Sequence, residues 1–271
     1  MKGKKLLTAF LTLAMGVSTA VGLASCGEQN SIIEHHMQGL DFYFKDDGTY
    51  AVGVGRLSPL RKIVISEKYN DIVFTEVVAQ GFKGGDFYEI ILPETLTTIG
   101  DHAFVNCSNL TSISIPDGVI TIGVDAFSGC GNLESVYITD IAAWCNISGL
   151  DNLTRSIGYK KLYLNNELVT ELIIPDGVTT ISDYAFYYCH GLTSVVIPDS
   201  VTDIGYYAFA NTSLTSIYYG GTATEWGSVS IGINAWTTNA TRYYYVENQA
   251  DVPTDGGNYW HYDENGEIAV W

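Results

Sequence analysis

A unit of 23 residues recurs along this chain, and a fixed period of that length restricts it to a stack of like-folded coils. Pro93 to Pro116 spans one period and Pro175 to Pro198 another, and Phe104 to Phe127 and Phe186 to Phe209 repeat the interval. The best-preserved copies run from Ile115-Pro116-Asp117-Gly118-Val119 to Ala126-Phe127-Ser128-Gly129-Cys130, and from Ile197-Pro198-Asp199-Ser200-Val201 to Ala208-Phe209. One such unit is too small to bury its own apolar side, so each must cover the next. Stacked coils act through extended outer surfaces more often than through a deep reactive pocket.

Within each unit an apolar triplet spaced L-x-x-L-x-L precedes a turn that usually carries Pro. The triplets are Leu60/Ile63/Ile65, Phe87/Ile90/Leu92, Leu110/Ile113/Ile115, Leu133/Val136/Ile138, Val169/Leu172/Ile174, Leu192/Val195/Ile197 and Leu214/Ile217/Tyr219. The alternating part of each triplet predicts a short strand with every second side chain inward. Proline follows where the ladder has ended. The Phe after each turn fills the middle of the coil, and the Ala beside it is small where adjacent coils approach. Two longer stretches, Val136–Leu162 and Ile217–Tyr244, share the spacing from Trp144 to Leu162 and from Trp226 to Tyr244. Each predicts a long coil with a short helix around its Trp and a strand at its end. Alternation around Asp46-Asp47-Gly48 predicts a β-hairpin over 39–56 that caps the array. The solenoid then covers 57–246, and 247–271 form a half-ordered tail whose aromatics fold back on the last coil.

The first 25 residues are of another kind. Lys2, Lys4 and Lys5 precede an apolar run that ends at Leu23-Ala24-Ser25-Cys26, the pattern of a cleaved secretory signal. Leu-Ala-Ser-Cys also resembles the lipobox of bacterial lipoproteins, which implies cleavage before Cys26 and a diacylglycerol on its sulfur. Plain secretion is the alternative. Residues 26–38 then serve as lipid-attachment site and linker. The formal net charge is −17, which disfavours nucleic acid and anionic membranes as partners. No later apolar run is long enough to span a bilayer.

The motif I-P-x-x-[VL]-x-x-I-G-x-x-A-F-x-x-C-x-x-L-x-S-[IV] resembles the BspA-type leucine-rich repeat of bacterial surface proteins. Ile115–Val136 carries it, as does Ile174–Val195 with Ser182 in place of Gly; Ile65–Ile90 is a degenerate copy with Ser66 for Pro and Gly81 for Ala. The resemblance covers residues 57–246 and implies a right-handed leucine-rich-repeat solenoid. The fold class is α/β leaning mainly β, with one short parallel strand per coil. The resemblance further implies a surface protein that binds extracellular proteins or glycans, held on the outer face of the bacterial cell by its N-terminal lipid.

Between the inward residues of each strand lie two outward rows. The central one reads Val64, Ile91, Ser114, Tyr137, Ile173, Val196 and Tyr218, with Tyr163 joining from the long coil; beside it stand Lys62, Glu89, Ser112, Ser135, Glu171, Ser194 and Ser216. Strands about 4.8 Å apart would align these rows as one stripe. As a binding face, Tyr137, Tyr163, Val196 and Tyr218 would be the contacts, with Ser135, Ser194 and Ser216 as adaptable hydrogen-bonding neighbours. Two alternatives stand beside it. Tyr, Val and Ile suit strands whether or not they bind anything, and the 165–168 hairpin or the tail could cover the stripe.

Cys107, Cys130 and Cys189 each fall three residues after a repeat Phe. They could be stacked neighbours joined by a disulfide between Cys107 and Cys130, or compact buried thiols. Thr212 occupies the same place after Phe209 without a paired loss, which favours thiols. Trp144 and Trp226 could stack on sugars, but their matched positions favour core anchors. His35, His36, His102, His190 and His261 lack the spaced Cys, Ser or carboxylate sets of a triad or metal site. Asp117, Asp176 and Asp199 follow repeat prolines, where turn chemistry accounts for them. Neither an enzyme nor a cofactor or metal site is expected.

Overall fold

Each repeat folds as a coil with three sides, and the sides differ in how they bond to the next coil. The computed structural model describes residues 40–54, 62–69, 71–155, 160–236 and 239–271. Residues 1–39, which include the stretch expected to be a signal peptide, Cys26 and the expected linker, lie outside the described residues, as does Leu60. Two compact units divide at Ser135/Val136.

In the first unit, Leu40–Phe44 and Tyr50–Val54 form the expected antiparallel hairpin. Its second strand runs parallel to Ile72–Val77, which pairs with Thr98–Ile99, which pairs with Thr121–Ile122. The hairpin therefore closes the sheet formed by the second side of the coils, not the sheet of apolar triplets. In that other sheet Lys62–Val64 pairs in parallel with Glu89–Ile91. In the second unit, Glu171–Ile173, Ser194–Ile197, Ser216–Tyr219 and Thr241–Tyr245 run parallel in succession. Thr180–Ile181, Asp203–Ile204 and Ser230–Ile231 form the second side.

The third side has no strand, yet it is bonded as regularly. Phe82 N donates to Ala103 O and Phe104 N to Ala126 O, both at 2.7 Å. In the second unit Phe186 N donates to Ala208 O at 2.7 Å and Phe209 N to Ala235 O at 2.8 Å. Residues just before the repeat Ala take left-handed backbone, among them His102 (φ 55°), Asp125 (φ 52°), Tyr184 (φ 59°) and Tyr207 (φ 55°). This turns the peptide planes so that alternate groups face the neighbouring coil.

The aromatic columns follow from that ladder. Phe82, Phe104 and Phe127 stack at centroid separations of 5.3 and 5.0 Å. Phe186 and Phe209 stack at 5.1 Å, and Trp236 continues their column at 4.6 Å. The spacing leaves no room at the repeat Gly: a Cβ on Gly123 would lie 2.5 Å from Asp101 N, and one on Gly232 2.6 Å from Tyr206 N.

Among the described residues the cysteines Cys107, Cys130, Cys145 and Cys189 are buried free thiols. Cys107 Sγ donates to Phe82 O and Cys130 Sγ to Phe104 O, each at 3.0 Å and each to the preceding coil. The column position is thus a small donor for a buried carbonyl. The neighbouring Cys130 and burial push the Cys107 thiol up, and burial pushes that of Cys145 up to about 12. Both stay protonated and unreactive.

The two long coils carry the expected helices. Ile141–Cys145 starts at Asp140, whose carboxylate accepts from Ala142 N and Ala143 N. Ala223–Trp226 starts at a reciprocal cap between Thr222 and Glu225. Trp144 is 1% exposed and Trp226 6%, so both are core anchors. Trp144 Nε1 donates to Ala185 O at 3.0 Å. Beside it Lys160 is fully enclosed, its ammonium 3.3 Å from the same carbonyl and 5.3 Å from the centre of the Trp144 ring. Burial lowers the Lys160 pKa, and the adjacent Cys189 offsets only part of that.

Two outcomes test this packing. Gly123→Ala forces two backbones apart and should cost about 1–3 kcal/mol in urea unfolding. Lys160→Met removes a buried charge and should stabilise the neutral-pH protein by about 1–3 kcal/mol. With the folded pKa below the unfolded one, wild-type stability rises with pH as it climbs from the lowered value toward the ordinary lysine range. The gain from Lys160→Met should therefore shrink over that window.

Candidate functional site

The outward residues of the second unit do not form one open ribbon. Tyr137 and Tyr163 stack face to face with centroids 4.6 Å apart, on the strands Ser135–Ile138 and Lys161–Leu164. Asn165 and Asn166, at φ 51° and 69°, then reverse the chain, and Glu167–Leu168 pairs antiparallel with the Tyr163 strand. That hairpin occupies the edge where the next parallel strand would have joined, so Tyr137 and Tyr163 belong to a different sheet from Val196 and Tyr218. The continuous stripe expected from sequence is interrupted there.

In the second sheet Ile173, Val196, Tyr218 and Tyr243 share one register across four strands. Tyr218 and Tyr243 stack at 5.1 Å. Ser194 and Ser216 are paired neighbours in the adjacent register, half-buried, as is Ser135 on its own strand. Val196 departs from expectation: it is 7% exposed, while Ile173 beside it is 62% exposed. Val196 is thus no free contact.

The chain after Val246 helps explain the covering. Tyr259–Tyr262 adds in parallel to Thr241–Tyr245 and pairs antiparallel with Ile268–Val270. The tail is ordered through this hairpin. Trp260 is 1% exposed; its Nε1 donates to Tyr219 O at 2.8 Å, and its ring meets Tyr218, Tyr245 and Tyr262 edge-on. Asp255 anchors the approach, accepting from Gly257 N and from Tyr259 Oη at 2.7–2.8 Å. These bonds hold the Asp255 carboxyl below the usual range. Backbone donors at Glu267 and Asn265 do the same for Asp263.

Between the sheet face and this tail lies a groove of about 320 Å³. Ile173 and Val196 form its floor, and Tyr245, Trp260 and Tyr262 form a wall. Asp176 and Asp199, each following a strand-ending proline, stand at its rim. Burial, then the Asp176 carboxylate and Tyr245, push the Tyr262 hydroxyl pKa up. Tyr245 ends the last parallel strand of the coils, while Trp260 and Tyr262 come from a segment that carries no repeat motif, whose only signal in the sequence was the run Tyr259-Trp260-His261-Tyr262.

Among the described residues no group of three or more His, Cys, Asp or Glu is placed to hold a metal ion. No helix among them is long and apolar enough to cross a membrane.

A coil with these three sides, repeated around a Phe column, is a leucine-rich-repeat coil. A family model for the BspA type Leucine rich repeat region matches in six copies over residues 75–148 and 155–234, and the chain belongs to that family. No curated protein matches it. Among solved structures, a leucine rich cell surface protein from Faecalibacterium prausnitzii A2-165 is 24% identical, with a TM-score of 0.49. The match covers 89% of this chain and 61% of that one. The Leucine Rich Repeat protein of T. pallidum is 21% identical (TM-score 0.48; 73% of this chain, 85% of that one). A leucine-rich repeat protein from Bacteroides ovatus ATCC 8483 is 24% identical (TM-score 0.43; 80% and 65%).

The tail contacts carry their own prediction. Because the carboxyls of Asp255 and Asp263 are lowered on folding, the stability they lend is present above the ordinary Asp range and lost as pH falls through their folded values. Amide exchange at 259–262 should accelerate in acid before the coil ladder does. The double variant Asp255→Asn with Asp263→Asn should remove that difference in acid sensitivity.

Proposed function

We propose that this chain is a non-catalytic binding protein of the bacterial cell surface, whose coils hold a face for extracellular proteins or glycans. A lipid on Cys26 would tether it to the outer side of the membrane. The observation that carries the binding reading is the groove above: aromatic rings, an apolar floor and two rim carboxylates converge in one concave place. Pockets of this make-up are the usual ligand sites of folded proteins. The stacked Tyr137 and Tyr163 offer a second aromatic contact on the other sheet. Membership in a repeat family adds weight, since solenoids present extended surfaces rather than reaction centres.

A scaffold or self-associating role is the second reading. It is favoured by Ile268–Val270, a terminal strand of its sheet, where Val270 is 54% and Trp271 39% exposed. Such an edge can pair with another copy.

Residues 27–271, screened against matrix proteins, mucins and glycans, should bind at least one of them. Tyr245→Ser combined with Tyr262→Ser, both in the groove wall, should weaken that binding about tenfold or more, the loss of roughly 1.4 kcal/mol. Binding untouched by the pair would remove these tyrosines from the contact surface. Light scattering at micromolar concentration should give a monomer; a concentration-dependent dimer would favour the second reading.

A further inference from the structure

We propose that the groove between the 171–219 strands and the C-terminal hairpin receives a cationic side chain, a lysine or arginine presented by an extracellular protein. This rests on the binding role proposed above and names its ligand chemistry.

The side chains that bound the groove set the choice. Its polar side-chain groups are the Asp176 and Asp199 carboxylates together with tyrosine hydroxyls. The indole N–H of Trp260 is already given to Tyr219 O, so it offers a ligand nothing. A carboxylate only accepts, while lysine and arginine carry several donors and no acceptor. A sugar, whose hydroxyls need donors as well as acceptors, is served less well.

Both rim carboxylates are solvent-exposed. No hydrogen bond or ion pair engages Asp176 or Asp199 among the described residues. They sit at the same place in adjacent coils, whose strands lie about 4.8 Å apart, so one cation can face both. The stem of a long basic side chain would lie over Ile173, which is 62% exposed, with its head near the Tyr262 ring, where cation–π attraction adds to the ion pairs.

The surrounding charge agrees. Residues 136–271 contain four basic side chains against fifteen carboxylates. Of the four, Lys160 is enclosed in the core and Arg242 lies over the Trp226 ring. Arg155 lies beside Asp151 and near the Tyr184 ring. The fourth, Lys161, is exposed on the Lys161–Leu164 strand of the other sheet, so the second unit has little of its own to place in the groove, and its field attracts basic partners.

The test is fluorescence anisotropy of short labelled peptides on residues 27–271. Each is a neutral Gly/Ser peptide with a pair of lysines or arginines, and the comparison peptide has norleucine there. The basic peptides should bind, the norleucine peptide should not, and binding should weaken as salt is raised. Asp176→Asn with Asp199→Asn should cost about tenfold or more. The same charge change made elsewhere, Asp46→Asn with Glu94→Gln, should leave affinity unchanged. Equal binding of the norleucine peptide, equal loss in the control variant, or no loss in the Asp176/Asp199 variant would overturn the proposal. Neutral glycans that bind, and lose affinity with Tyr262→Ser while basic peptides do not bind, would overturn the cation and leave the binding role standing.

Discussion

The backbone hydrogen bond from one coil to the next on the strandless side governs the rest of the structure. A strand gives its donors and acceptors to neighbours by default, but a turn does not. Here two-residue spacing of donors, Phe82 and Gly84 N in one coil and Phe186 and Tyr188 N in another, reaches the carbonyls of the next coil. Left-handed residues such as His102 and Tyr184 make that orientation possible. Once the coils are drawn this close, the remaining choices narrow. A flat ring stacks on a flat ring, the neighbouring residue stays as small as Ala or Gly, and at Gly123 and Gly232 there is no room for a Cβ. The thiol column obeys the same economy, since Cys107 and Cys130 serve carbonyls of the preceding coil.

Ends are costly for such a stack, because the last coil exposes strand edges. Within the first unit a hairpin closes the sheet of the second side. Within the second unit a hairpin of different sequence extends the triplet sheet, and its Trp260 ring reaches over the outward face. That second device does more than cover an edge. It turns part of a flat face into a groove with a floor from the repeats and a wall from outside them.

Much of this was legible in the residues. Phe, Ala, Gly and Cys recur in phase because each meets its own copy in the next coil, and self-contact of that kind shows up as periodicity. The paired long coils were legible too, since Trp144 and Trp226 mark equivalent helices. What escaped was whatever depends on contact between a repeat and a segment without one. Val196 has the pattern of an outward residue, and nothing in its own coil tells that Trp260, more than sixty residues later, helps enclose its surroundings. The break between Tyr163 and Ile173 turns on the Asn165-Asn166 reversal; the turn was readable, but its consumption of the strand edge was not. Trp236 replacing Phe in the column, and Lys160 buried against Trp144, are substitutions by residues of other chemistry that a periodic template passes over.

The stacking of like residues across coils can be measured directly by a double-mutant cycle on Phe186 and Phe209, whose rings lie 5.1 Å apart. Phe186→Leu and Phe209→Leu keep the core apolar while removing the aromatic pair. Rings in contact should give a coupling of about 0.5–1.5 kcal/mol in urea unfolding. Two losses that add with no remainder would mean that the rings do not share a column, and the stacked-coil account would fail with them.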